Sequence, residues 1–166
     1  MNRGHGTEEI HHIAEQARAV RPEVALSADF ITGFPGESEA DFEQTCELAR
    51  AVGFAKLHVF PFSERPGTRA ARLPEAVPRD ERRARAARLR TLGEALRAKF
   101  LARQWGRVER VLVEGTECGL TGNYIRMHVP GGRSGEIRAL RLSPQALREP
   151  AGAADAHAAD AHTTEG

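Results

Sequence analysis

Two stretches of this chain carry the turns and side chains with which it could do chemistry. The first is Asp29-Phe30-Ile31-Thr32-Gly33-Phe34-Pro35-Gly36-Glu37-Ser38. An apolar run from Val24 to Ile31 ends in a Gly-Phe-Pro-Gly turn, and Ser38 follows as a helix opener with Asp41 three residues on. That pattern predicts a buried strand, a tight loop and a capped helix, which is half of a βαβ unit. Ligands of parallel α/β sheets sit at the C-terminal ends of strands, where such loops lie. Gly33 and Gly36 let the backbone approach a ligand or take a positive φ, and Pro35 stiffens the turn. A GxxG turn alone is equally a plain βα connection. Asp29 inside the apolar run needs a hydrogen-bonding partner or a ligand at the strand end, and the two readings weigh the same.

The second stretch is Leu57-His58-Val59-Phe60-Pro61-Phe62-Ser63-Glu64-Arg65-Pro66-Gly67-Thr68. Alternation puts His58, Phe60 and Phe62 on one side of a strand and Leu57 and Val59 on the other. The loop after it offers the hydroxyls of Ser63 and Thr68, the guanidinium of Arg65 and a free backbone. It could grip a carboxylate or phosphate, or be an ordinary surface turn. Farther on stands the sole tyrosine, Tyr124, with Asn123 before it and Arg126 after. One stacking face with adjoining polar groups is what binders of single-stranded nucleic acid use. The two cysteines, Cys46 and Cys118, are isolated in sequence and make neither a disulfide framework nor a metal motif. No residue is assigned a catalytic or metal-ligating role.

These groups need elements to hold them. A helix is expected from Thr7, which can cap it, to Val20, with Ile10, Ile13, Ala14, Ala17 and Val20 as its apolar stripe. A strand from Val24 to Thr32 reads as nearly continuous apolar sequence, as in a parallel sheet covered by helices. A second helix runs from Ser38 to about Val52, with Phe42, Thr45, Cys46, Ala49 and Val52 inward and Gly53 ending it. A strand from Lys56 to Phe62 follows. Two such units are too few for a closed barrel or a doubly wound sheet, so the chain is expected to be part of a larger domain or to borrow strands from a partner.

From Pro78 to Arg103 the sequence turns helical and basic, with Leu89, Leu92, Leu96 and Phe100 at helical spacing. Its arginines could form a surface for a phosphate backbone or merely a solvated face. After Gly106 the period changes to two. Strands are expected at Val108 to Glu114, Leu120 to Val129 and Glu136 to Leu142, separated by glycine-rich turns, as in a small β-barrel. The alanine-, histidine- and aspartate-rich segment from residue 146 onward is expected to be a disordered tail. The whole chain has 166 residues, 40% hydrophobic and 28% charged, which suits a globular protein. A formal net charge of +1 says nothing about partners. With no bilayer-length apolar run and no signal-peptide core, a cytoplasmic location is expected.

The strings DFITGFPGESEADF and HVFPFSERPGTRAA together resemble the methylthiotransferase family of radical S-adenosylmethionine (SAM) enzymes, with Phe62 where a tyrosine is commoner. The stretch VLVEG to GLTGNYIRM resembles the TRAM domain, the small RNA-binding barrel that ends such enzymes. The resemblance implies an α/β fold of a particular kind: a partial radical SAM barrel, its last two βα units (1–74), then a connecting basic helix (75–104), a small all-β TRAM-like barrel (105–145) and the tail (146–166). The implied cofactor contacts are Ile31, Gly33, Phe34, Pro35, Glu37, His58 and Phe60 for S-adenosyl-L-methionine. The implied substrate or RNA contacts are Ser63, Arg65, Thr68, Asn123, Tyr124 and Arg126. The wording is nearest the branch that methylthiolates N6-threonylcarbamoyladenosine in tRNA. In that family a CxxxCxxC-held 4Fe-4S cluster cleaves SAM and a second cluster serves sulfur insertion. No such motif occurs here, so the clusters are expected only on a missing N-terminal part, and the chain is expected to be inactive alone. Its expected partners are tRNA and that N-terminal portion as a separate chain. The alternatives are a stand-alone RNA-binding module, a methylthiotransferase of the isopentenyladenosine or ribosomal-protein branch, a radical SAM enzyme of the oxygen-independent coproporphyrinogen oxidase class, and a non-catalytic remnant of a split gene.

Overall fold

A computed structural model describes residues 6–115 and 117–147, and the chain divides after Gln104 into two compact units. The first unit runs α1 (Thr7–Val20), β1 (Ser27–Thr32), α2 (Glu39–Val52), β2 (Lys56–Pro61), a single 3-10 turn (Ala70–Arg72) and α3 (Arg79–Gln104). β1 and β2 pair in parallel, from Ser27 opposite Lys56 to Thr32 opposite Pro61. The α/β alternation and the parallel pairing are as the sequence led one to expect.

Local chemistry sets the boundaries. Ser38 Oγ accepts from Asp41 N at 3.1 Å and Asp41 Oδ2 accepts from Ser38 N at 2.9 Å, a complete capping box that starts α2. The Ser38 hydroxyl also donates to Asp41 Oδ2, at 2.6 Å. The hydroxyl first, then the Ser38 backbone N–H, hold the Asp41 carboxyl below its ordinary value. Gly53, at φ 63°, ends the helix in the left-handed conformation. At α1 the expectation fails: the extended residue before the helix is Gly6, so Thr7 lies already inside the first turn and makes no cap. Likewise β1 begins at Ser27 rather than Val24, because Val24 N is spent on a turn to Arg21 O at 3.0 Å.

Only one face of the two-stranded sheet is covered. Ala28, Phe30, Leu57 and Val59 pack with Phe42, Cys46, Val52, Ala86 and Leu89 into one core. α3 lies so close on β2 that a Cβ at Gly93 would stand 3.3 Å from Leu57. The other face carries Ser27, Asp29 and Ile31 beside Lys56, His58 and Phe60. Asp29 is exposed there, not buried as the apolar run suggested. Two strands with helices packed on one side leave the side chains of the other face wholly or partly in solvent. Of the expected α1 stripe, Ile10 and Ala14 reach the core while Ile13 and Val20 stay exposed.

The second unit is an antiparallel sheet in the order β5-β4-β3-β6, made of β3 (Val108–Gly115), β4 (Cys118–Thr121), β5 (Arg126–His128) and β6 (Ile137–Arg141). Val111, Val113, Ile125, Met127, Val129 and Leu142 are buried. Among the described residues the sheet does not close into the expected barrel. After β6 comes a 3-10 turn (Pro144–Ala146), and Leu147, the last described residue, returns to bridge Met127 on β5. The expected single strand from Leu120 to Val129 is two strands. Thr121 Oγ1 accepts from Asn123 N at 3.2 Å and Ile125 N at 3.1 Å, and Thr121 N donates to Ile125 O at 3.0 Å. These bonds fold 121–125 into a tight turn. Thr-Gly-Asn was the signal for it. The tail expected from residue 146 lies outside the described residues beyond 147.

Candidate functional site

The loop between β1 and α2 stands at the C-terminal end of β1, and its shape rests on two glycines and a set of backbone hydrogen bonds. Gly33 and Gly36 have φ 72° and 87°, values that only glycine takes without strain. Glu37 N donates to Phe34 O at 2.9 Å, and Gly36 N donates to Glu75 O at 3.0 Å. Gly33 N donates to Glu37 Oε2 at 2.7 Å. Beside the loop is an open cavity of about 330 Å³ lined by Ile31, Phe34, Pro35, Gly36, Glu37 and Asp41. Phe34 is held edge-on against Phe62, with ring centres 5.2 Å apart.

This composition limits the ligand. Three loop amides, those of Gly33, Gly36 and Glu37, are already engaged within the protein, so the loop is not a phosphate cradle of free N–H groups. Two carboxylates line the cavity, and one of them, Asp41, is kept ionised to lower pH than usual. An apolar wall without free N–H groups suits a flat ligand better than a phosphate.

The residues that hold the loop were missed by the sequence reading, which placed them in a basic surface. Arg85, on α3, has a side chain only 7% exposed. It donates from Nη1 to Glu37 Oε2 at 2.8 Å and to Glu37 O at 2.9 Å, and from Nε to Glu81 at 3.0 Å. Arg82 donates from Nε to Val77 O at 2.8 Å and from Nη1 to Phe62 O at 2.9 Å, and its backbone carbonyl accepts from Thr32 Oγ1 at 3.2 Å. Arg88 pairs with Glu39 and Glu43, and Arg90 donates to Val59 O at the edge of β2 at 3.0 Å. The first turns of α3 therefore tie the ends of both strands together. Charge count along the helix cannot distinguish such arginines from solvated ones; the acids at 37, 39 and 43 that answer them lie some 45 residues away in sequence.

The other expected contacts fall in separate places. Ile31, His58 and Phe60 share the open face of the sheet, with Ile31 directly opposite Phe60 and His58 opposite Asp29. Phe34, Pro35 and Glu37 line the cavity with Ile31, while Gly33 is buried against Arg82. Ser63, Arg65 and Thr68 are exposed in the loop after β2, where Thr68 Oγ1 donates to Arg65 O at 2.8 Å. In the second unit Asn123 is buried and Arg126 lies half-buried on β5, with Nη1 3.6 Å from Cys118 Sγ. Tyr124 is the clearest: 80% exposed and at φ 56°, a conformation that costs a tyrosine about 1 kcal/mol. Cys46 is buried in the core of the first unit and Cys118 belongs to the second. Among the described residues no three His, Cys, Asp or Glu side chains gather to hold a metal ion. The residues present do not fit an iron–sulfur cluster. Among them, too, no helix is long and apolar enough to cross a membrane.

No family model matches the chain. Individual curated proteins do. Over 148 residues, 89% of its length, it is 42% identical to the tRNA-2-methylthio-N(6)-dimethylallyladenosine synthase of Magnetococcus marinus. It is 42% identical over 161 residues to the synthase of that name from Cereibacter sphaeroides, and 44% identical over 115 residues to that from Neisseria gonorrhoeae. The chain spans about a third of the length of these relatives: 32%, 36% and 26%. The expected threonylcarbamoyladenosine branch is thereby corrected. Identity along 89% of the chain runs to the dimethylallyladenosine synthase instead. The relatives of this chain are tRNA methylthiotransferases, and they are of the dimethylallyladenosine kind.

Proposed function

We propose that the chain supplies the SAM-facing loop and the RNA-contacting end of a tRNA methylthiotransferase acting on N(6)-dimethylallyladenosine. What carries this reading is the 42% identity to a synthase of that name along nearly nine-tenths of the chain, loop and β unit included. The cavity is consistent with it. Ile31, Phe34 and Pro35 offer an apolar wall for a purine, and Asp41 at the rim offers an anionic partner for an ammonium group, while the Glu37 carboxylate is already answered by Arg85. One SAM, cleaved by a cluster held elsewhere, would supply the radical, and a second, intact SAM would supply the methyl group. This chain's residues would bind and orient it and grip the tRNA.

The test is a chimera in which this chain replaces the matching third of the Magnetococcus marinus relative. It is expected to form 2-methylthio product on tRNA bearing N(6)-dimethylallyladenosine and none on the threonylcarbamoyl substrate. The chain alone, after iron–sulfur reconstitution, is expected to release no 5′-deoxyadenosine from SAM. A folded, tRNA-binding chimera without product, or an active isolated chain, would overturn the reading.

Tyr124→Asn gives a second check with two opposite signs. Asparagine tolerates the left-handed conformation better, so the variant should be more stable by about 1 kcal/mol. It should also bind tRNA more weakly, by about 1–3 kcal/mol if one base stacks on the ring. Denaturant midpoints and gel-shift titrations read the two effects separately.

A further inference from the structure

We propose that Glu75 is a recognition group of the candidate site, holding the ribose hydroxyls of a purine nucleoside whose ring lies on the wall of Ile31, Phe34 and Pro35. The segment between β2 and α3 brings it there. Arg82, on α3, takes both ends of that segment, with Nη1 on Phe62 O at 2.9 Å and Nε on Val77 O at 2.8 Å. Between these ends the chain returns across the β1–α2 loop, where Gly36 N donates to Glu75 O at 3.0 Å. Glu75 has φ 62°, a strained value for a residue with a Cβ. In that conformation one residue sets its carbonyl on Gly36 N and its carboxylate over Gly36. Glu75 Oε2 stands 3.7 Å from where a Cβ on Gly36 would be, and Gly36 lines the cavity.

The carboxylates around this cavity are not alike. Glu37 is answered by Arg85 at 2.8 Å, and Asp41 by the hydroxyl and backbone N–H of Ser38. Among the described residues no donor or cation answers the exposed carboxylate of Glu75. An ionised carboxylate only accepts, through two oxygens, so its ligand must bring donors. The charges nearby disfavour a free ammonium in that role. Between Phe62 and Val77 stand exposed Arg65, Arg69 and Arg72 against Glu64 and Glu75, and Glu64 is already paired with Arg82 at 3.4 Å. A surplus of guanidinium groups repels a further cation but not a neutral diol. Vicinal ribose hydroxyls bring two neutral donors to one carboxylate, as when an acidic side chain reads the ribose of a dinucleotide. The inference rests on the reading that the cavity takes the purine part of SAM, and it adds the residue that reads the sugar.

The experiment titrates the full chain with adenosine and with 2′,3′-dideoxyadenosine and follows the amide NMR signals of both units. Adenosine should move the signals of Gly36 and Glu75. The dideoxy analogue should bind about tenfold more weakly, the loss expected when hydrogen bonds to a charged acceptor are removed. Glu75→Gln should narrow that preference, and Glu75→Gly should abolish it while leaving the affinity for the dideoxy analogue unchanged. Glycine keeps the carbonyl that Gly36 N needs and takes a positive φ freely, so the urea midpoint of Glu75→Gly should not fall. A lower midpoint would show the side chain engaged in the fold itself and would overturn the proposal. Equal binding of the two nucleosides by the wild type, or a preference that survives Glu75→Gly, overturns it too, while leaving purine binding in place. Absence of any signal change at Gly36 with either nucleoside would instead remove the reading of the cavity beneath it, and the role of Glu75 with it.

Discussion

Replacing Gly33 with alanine is expected to destabilise the chain by about 2–4 kcal/mol, far more than the same change at other positive-φ glycines. Two costs combine. The φ of 72° is strained for any residue with a Cβ, at about 1 kcal/mol. The added methyl would also stand 2.2 Å from Arg82 Cγ and 2.9 Å from Arg82 Cβ, an overlap that must be relieved by moving something, at about 1–3 kcal/mol. Arg82 cannot swing aside cheaply. Its atoms near the helix are the ones in the way, and its guanidinium is held by Val77 O and Phe62 O. Gly67 gives the comparison, with φ 81° and nothing within 4 Å of an added Cβ. Gly67→Ala should lose about 1 kcal/mol by strain alone. Urea unfolding of both variants checks this: equal losses would mean that the contact with Arg82 contributes nothing.

The contrast shows what could be seen in the sequence and what could not. The Gly-Phe-Pro-Gly turn, the capped helix after it and the parallel pairing of β1 with β2 were legible, because each rests on residues within a few positions or on the period of apolar side chains. That Gly33 is needed for space as well as for φ was not legible, since its neighbour Arg82 is 49 positions on. Asp29 misled for a related reason. An apolar run signals burial on both faces only where helices cover both, and here they cover one. In the second unit a run of strand-forming residues concealed a turn, because Thr121 ties two amides with one hydroxyl and bends the chain at 121–125.

The basic helix is the largest misreading. Arg82, Arg85, Arg88 and Arg90 look from the sequence like part of one positive stripe for RNA. In the fold they hold carbonyls and carboxylates of the loops, of α2 and of β2. Exposed Arg79, Arg83, Lys99 and Arg103 remain on α3 as cations facing solvent. Sequence composition gives the number of charges on an element but not the answering charges that folding brings to it.

Arg85→Ala is the prediction that turns this correction into a measurement. Glu37, with a side chain 13% exposed, would keep its carboxylate but lose two guanidinium bonds, one to its side chain and one to its backbone carbonyl. Removing one member of a buried pair typically costs about 3–5 kcal/mol, because the remaining charge is left desolvated. Arg85→Lys should fall between wild type and alanine. It keeps the charge, but one ammonium cannot span Glu37, Glu39 and Glu81 as the planar fork does. The decisive variant is the double change Arg85→Met with Glu37→Gln. The glutamine oxygen can still accept from Gly33 N, and no charge is left buried, so much of the lost stability should return. Denaturant midpoints of wild type, Arg85→Met, Glu37→Gln and the double variant form a cycle, and a coupling of about 2 kcal/mol or more is expected for groups in direct contact. Hydrogen exchange at the Gly33 and Glu37 amides supplies the link to the site: exchange should speed up in Arg85→Ala and recover in the double variant at Gly33. A loss under about 1 kcal/mol in Arg85→Ala, with unchanged exchange in the loop, would show that α3 does not brace it and that its arginines are free for another task.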